Sequence, residues 1–277
     1  MNRLRPVKKK LFLFVALAVI CVTNINAAGK NSIASSSIKD PNNLNCEKSK
    51  GKFIDVKGND GKEYRVFASG PINATVGILV VHDYFGITNS TKESVERLGE
   101  SGYYAIAVDL YKGKSATTND SAESLMKVKD TVETEAILKA GIDYLKKPGR
   151  KLAAIGFSAG GIDAMNATLL EPDLFHATII VYGGNYDKIE KSRLAKLKNP
   201  VLAITGSLDN WPLQAGLNFL ANEKDKSLEF YIYPGVDHGY AQPLFNGGKN
   251  YNAEAIRVTW MLMNDFLSRH TTNTSKP

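Results

Sequence analysis

The chain has 277 residues, 43% of them hydrophobic, which is enough for a sizeable core, and a formal net charge of +7. Five of its 35 basic residues and none of its 28 acidic ones lie in the first ten positions, so without that segment the charge falls to +2. With no arginine-rich stripe and no interleaved aromatic and basic run, nucleic acid is excluded as an expected partner, and two cysteines exclude a disulfide scaffold.

Arg3, Arg5 and Lys8 to Lys10 precede twelve apolar residues, Leu11 to Val22, and then the small-residue stretch Ile25-Asn26-Ala27-Ala28. A basic start, a short apolar stretch and a small residue at the cut describe a secretory signal peptide over residues 1–27, cleaved after Ala27. Twelve residues are too few to cross ~30 Å of hydrocarbon as a helix, so no stable membrane span is expected after cleavage; the alternative is an uncleaved anchor. The expected address is outside the cytoplasm, with the bacterial periplasm favoured over a eukaryotic secretory route. Cys46 is then the sole thiol, and a packing role is expected of it.

Residues 28–50, rich in Ser, Asn and Lys, read as a flexible lead-in. Residues 51–270 read as a single domain and 271–277 as a tail, within the upper size range of one compact domain. "KFIDV", the turn "KGNDG" and "KEYRVFAS" predict a β-hairpin with Asp60-Gly61 at the turn. Six short apolar runs follow, at 76–81, 104–108, 152–157, 178–183, 201–206 and 228–233. Continuous rather than alternating apolar runs predict strands of a parallel sheet, buried on both faces.

Helical patterns lie between them at 91–101, 131–147, 211–223 and 252–270, with a further helix over "GIDAMNATLL". The second carries Val132, Ala136, Ile137, Ala140 and Leu145 at helical spacing and stops at Pro148-Gly149. The alternation predicts an α/β fold: a mostly parallel, doubly wound sheet with an N-terminal antiparallel hairpin and no large lid.

Gly156-Phe157-Ser158-Ala159-Gly160 matches G-x-S-x-G. Alone the pentapeptide is weak, but it falls between a buried strand and a helix, the context of a nucleophile elbow. Such a turn forces small neighbours, lifts the hydroxyl clear of the sheet and aims helix N-terminal N–H groups at developing negative charge. Among the four histidines, His82 precedes the serine, His176 sits before a strand and His270 lies in the C-terminal tail. His238, in the glycine-rich loop after the last strand, is the expected base.

The orienting acid should follow a late strand and precede the histidine, which selects Asp209 over Asp237 and Asp187; the competing role for Asp209 is a helix N-cap. Ser158, Asp209, His238 is the chain order of α/β-hydrolases. The N–H groups of Ala159 and Tyr84 are the expected oxyanion donors. Asp83 beside them is either a carboxylate near the nucleophile or a turn residue.

With these residues in hand, the chain resembles the dienelactone hydrolase family from about residue 52 to 267. The carriers are "HDYFGI", "VDLYKG", "GFSAGG", "GSLD" and "YPGVDHGY". The resemblance implies an α/β-hydrolase fold, a Ser158–His238–Asp209 triad, an oxyanion hole from Tyr84 and Ala159, and Asp83 as a carboxylate contacting the resting nucleophile.

Three departures stand out. Ser158 replaces the cysteine of the best-known members; Gly113 and Gln242 replace two carboxylate-binding arginines, with Lys112 and Lys114 flanking the first; and the leader implies export. They point away from an anionic dienelactone and toward a neutral or weakly anionic ester or lactone. The mouth is expected to be lined by Tyr84, Phe85, Tyr111, Trp211 and Tyr240.

The expected activity is therefore cofactor-free and metal-free hydrolysis of a small-molecule ester or lactone by a monomer or weak dimer. An acyltransferase or peptidase on the same triad, or a non-catalytic binding module, is the alternative. Alcohol or amine acceptors separate transfer from hydrolysis, and Ser158→Ala separates chemistry from binding.

Overall fold

The structure, a computed structural model, describes residues 50–223 and 225–272. The expected leader, Cys46, most of the lead-in and the end of the tail lie outside those residues. The described residues build one eight-stranded sheet in the order β1-β2-β4-β3-β5-β6-β7-β8. The hairpin is there as β1 (Lys52–Lys57) and β2 (Glu63–Ser69), antiparallel, with Asp60-Gly61 in the turn and Gly61 at φ +81°. β2 continues antiparallel onto β4 (Tyr104–Val108), and all later pairings are parallel.

The remaining strands are β3 (Val76–Val81), β5 (Lys151–Phe157), β6 (Phe175–Val181), β7 (Val201–Gly206) and β8 (Leu228–Tyr233). The helices are α1 (Asn89–Glu100), α2 (Asn119–Lys127), α3 (Thr131–Leu145), α4 (Gly160–Leu170), α5 (Lys191–Leu194), α6 (Asn210–Asn222) and α7 (Ala253–Thr271).

The apolar runs are buried on both faces because helices cover both. In β3, Ile78 and Val80 pack with Val95 and Leu98 of α1 and with Met263 and Phe266 of α7. Leu79 and Val81 point the other way, onto Ile137 and Leu138 of α3 and Ala164 of α4. α6 adds Ala215 and Phe219 against Ile180 and Ala203.

Four expectations shift. β6 starts three residues early, at Phe175, so His176 lies inside it. β8 is an edge strand with half-exposed and exposed positions, because nothing pairs its outer side among the described residues. Val132 is 79% exposed, since α3 turns Ile137 and Leu138 to the sheet instead. α2 went unread: it buries only Ala122 and is held by a Thr118–Ser121 capping box. Among the described residues no helix is long and apolar enough to cross a membrane.

Candidate active site

The carboxyl ends of β3 to β8 converge on one face, and the residues of interest lie on the connections that leave them. Between β5 and α4, Ser158 adopts φ +50°, a left-handed conformation that costs a non-glycine residue about 1–3 kcal/mol and persists only where the surroundings impose it. The surroundings are two backbone contacts without room for side chains. A Cβ on Gly156 would lie 2.2 Å from the Gly160 carbonyl oxygen, and one on Gly160 would lie 2.3 Å from that of His82. The Ser158 N–H donates to Val181 O at 2.9 Å and its carbonyl accepts from Gly161 N at 2.9 Å, fixing the turn at both ends.

Ser158 Oγ lies 2.9 Å from His238 Nε2, and His238 Nδ1 lies 2.6 Å from Asp209 Oδ2. Nδ1 faces a carboxylate, so it carries the proton and leaves the Nε2 lone pair for the serine hydroxyl. Asp209 begins α6, yet its side chain caps nothing there. Asp237 bends back to accept from the His238 N–H at 2.7 Å, and Asp187 accepts from Asn218 at 2.8 Å, so neither rival meets the imidazole. The ring is boxed by Tyr182, Trp211 and Phe245, with centroids 5.5, 5.6 and 5.0 Å away, and Asn250 holds its backbone carbonyl at 2.7 Å. His176 and His270 lie elsewhere, the first donating to Leu174 O and the second 3.9 Å from Glu229.

No acceptor among the described residues engages the N–H of Ala159 or Tyr84. The Tyr84 segment is braced by His82, a buried residue whose position before the serine gives no sequence signal of this role. Its Nε2 accepts from Leu110 N–H at 3.2 Å, so Nδ1 is the protonated nitrogen and donates to Asp83 O at 2.5 Å. Burial lowers its pKa, consistent with a neutral ring. One imidazole thereby ties the end of β3 to the end of β4.

Asp83 is where the expected contact is not made. Its Oδ1 accepts from Phe85 N–H at 2.8 Å and its Oδ2 from Gln242 Nε2 at 2.6 Å, while Ser158 turns to His238. Gln242 is in turn oriented by Ser90 Oγ at 3.3 Å and Leu244 N at 3.2 Å. Its only sequence signal is a position, four residues past His238.

Burial raises the Asp83 pKa from 3.8 to about 6, outweighing its two hydrogen bonds. A carboxyl raised in the folded state stabilises fully below pH 3.8, and that stability is lost as pH climbs through 6; this rise corresponds to about 3 kcal/mol. Urea unfolding of wild type and Asp83→Asn from pH 4.5 to 7.5 should show the wild type losing about 2 kcal/mol relative to the variant. Parallel curves would rule out this assignment.

A cavity of about 190 Å³ opens beside Ala159 and is walled by Tyr111 and Trp211 among others. Of the other three expected lining residues, two belong to the core. Phe85 is fully buried against Ala116 and Ala122, and Tyr240 is fully buried with its hydroxyl 2.7 Å from Thr259. Tyr84 packs on Phe85 and Phe245, with ring centroids 4.6 and 6.2 Å away.

The "DLYKG" segment folds into a tight turn beside the cavity, with Lys112 at φ +53° and Gly113 at φ +82°. Asp109 holds it by accepting from the N–H groups of Tyr111 and Gly113 at 3.1 and 2.6 Å. Lys112 is drawn off to Glu133 at 2.6 Å. Among the described residues no group of three or more His, Cys, Asp or Glu side chains is placed to share a metal ion.

A mostly parallel eight-stranded sheet with helices on both faces, and a serine on the sharp turn after its central strand, define an α/β-hydrolase. Residues 64–271 match the dienelactone hydrolase family, and the chain belongs to that family. It is 27% identical to a protein of Saccharolobus solfataricus provisionally named a carboxymethylenebutenolidase, over 76% of this chain and 95% of the relative. It is 28% identical to "Protein usf" of Aquifex pyrophilus, over 69% and 87%. A dienelactone hydrolase-like promiscuous phosphotriesterase from metagenomic libraries has the same fold, with a TM-score of 0.67 at 20% identity over 80% of this chain and 99% of that one.

Proposed function

We propose that this chain is an exported serine hydrolase that cleaves carboxylic esters or lactones through an acyl-enzyme on Ser158. The observation that carries the reading is the continuous relay from Ser158 Oγ to His238 Nε2 at 2.9 Å and from Nδ1 to Asp209 at 2.6 Å. Ser158 Oγ attacks the acyl carbon and its proton passes to His238 Nε2. Asp209 keeps the imidazole in the productive tautomer and stabilises the imidazolium. The N–H groups of Tyr84 and Ala159 hold the tetrahedral oxyanion, each contributing about 3 kcal/mol. Collapse breaks the acyl–oxygen bond, and the departing alkoxide takes the proton from His238. Water, deprotonated by the same nitrogen, then attacks the acyl carbon and releases the acid and Ser158.

The relative from Saccharolobus bears a lactone hydrolase's name, which favours ester or lactone chemistry here. For export, the support is the sequence of residues 1–27 alone; the N-terminus of the protein recovered from a periplasmic fraction should be Ala28. The catalytic reading is tested by treating the protein with a fluorophosphonate and mapping the adduct by mass. One adduct on Ser158, matched by loss of p-nitrophenyl ester hydrolysis, is expected. Turnover that survives complete labelling would refute it.

A further inference from the structure

Lys129 lies in the connection between α2 and α3, and its ammonium is 2.5 Å from Oδ2 of Asp163 in the first turn of α4. Asp163 is buried and Lys129 half-buried, and both line the 190 Å³ cavity that contains Ala159. Lys129 also lines an adjoining cavity of about 110 Å³, so it stands in the partition between the two. The relay described above uses neither residue.

We propose that Lys129 is the specificity-determining residue of this site, selecting small uncharged esters or lactones that carry one further oxygen acceptor. The proposal rests on the reading of Ser158 as nucleophile. An ammonium has three N–H donors, and Asp163 is its only side-chain partner among the described residues. Lys129 shares the wall of that cavity with the apolar or aromatic side chains of Leu110, Tyr111, Met126, Ile162 and Trp211 and with polar His82, Asp83 and Asn185. Such a donor is satisfied by a hydroxyl, ether or carbonyl oxygen, which costs little to remove from water.

A carboxylate fares differently. The lysine charge is already neutralised by Asp163, so an incoming anion gains little net attraction, loses its hydration and meets the buried Asp83 in the same wall. The cavity also limits size: 190 Å³ lies below the roughly 300–1,000 Å³ of pockets that take drug-sized ligands.

The test compares kcat/KM for ethyl butyrate, ethyl 3-hydroxybutyrate, 2-methoxyethyl butyrate and monoethyl succinate. The proteins are wild type, Lys129→Met and the double variant Lys129→Met/Asp163→Leu. The double variant guards against misfolding, since the single one leaves a buried carboxylate without its counter-ion. Wild type should favour at least one of the uncharged oxygenated esters over ethyl butyrate by about tenfold, the effect of one hydrogen bond from a charged donor. Monoethyl succinate should be the poorest substrate. In the variants the tenfold preference should shrink to within about twofold.

A wild type without that preference, a preference for monoethyl succinate, or variants that lose rate equally on all four esters would each overturn the proposal. Turnover that depends on Ser158 but is indifferent to Lys129 overturns this inference alone. Absence of any Ser158-dependent turnover overturns the catalytic reading and this inference with it.

Discussion

Ser158→Ala should lower kcat/KM for a short p-nitrophenyl ester by about 10⁴ to 10⁶, with the fold unchanged by circular dichroism. The argument is one of connected parts. Ser158, His238 and Asp209 form a single chain of 2.9 and 2.6 Å contacts, so the nucleophile has no proton acceptor without the ring and the ring no fixed tautomer without the acid. His238→Ala should therefore cost about as much as Ser158→Ala, and the pair together no more than either alone. Asp209→Asn should cost on the order of 10⁴, because an amide can present its N–H to Nδ1 and stabilise the wrong tautomer. Steady-state kinetics on the four proteins decide the matter. Additive losses would mean that the three side chains do not act as a unit.

Gly156→Ala should be among the most damaging single-methyl changes in the molecule. The added carbon would fall 2.2 Å from Gly160 O, 2.6 Å from Gly160 C and 2.7 Å from Gly161 Cα, all backbone atoms that cannot rotate away. Relief requires lifting α4 from β5, which also displaces Ser158 and the Ala159 N–H. We expect a loss of more than about 3 kcal/mol in urea unfolding and no fluorophosphonate adduct on any protein that still folds. Gly61→Ala sets the scale. It has φ +81° but nothing within 4 Å, so it should cost only the left-handed strain of about 1–2 kcal/mol. Equal losses for the two would mean that close approach is not what Gly156 provides.

The order of layers and the carriers of the relay were legible from sequence because each rests on local signals. Runs such as Val76–Val81 can be buried on both faces only inside a covered sheet, and a serine between two crowded glycines announces a sharp turn. Other features have no local signature. Asp83 and Gln242 meet across 159 positions, and their hydrogen bond is a property of how β3 and the loop after β8 are brought together. Phe85 and Tyr240 read as mouth aromatics because their neighbours in sequence lie at the site, yet each side chain turns inward. α2 was missed because only Ala122 faces the core, which leaves no apolar periodicity to detect. The run "LEFYIY" predicts a covered strand, but hydrophobicity reports suitability for burial, not the presence of a neighbour on the outer side.

The proposed roles fall on different connections leaving the parallel strands. Ser158 leaves β5, Asp209 leaves β7 and His238 leaves β8, whereas Tyr111 and Lys129 belong to the long passage from β4 to α3. Among the described residues, none of that passage pairs in the ladders of β5, β7 or β8. On the proposed roles, bond breaking and substrate selection therefore sit on separate connections of one sheet.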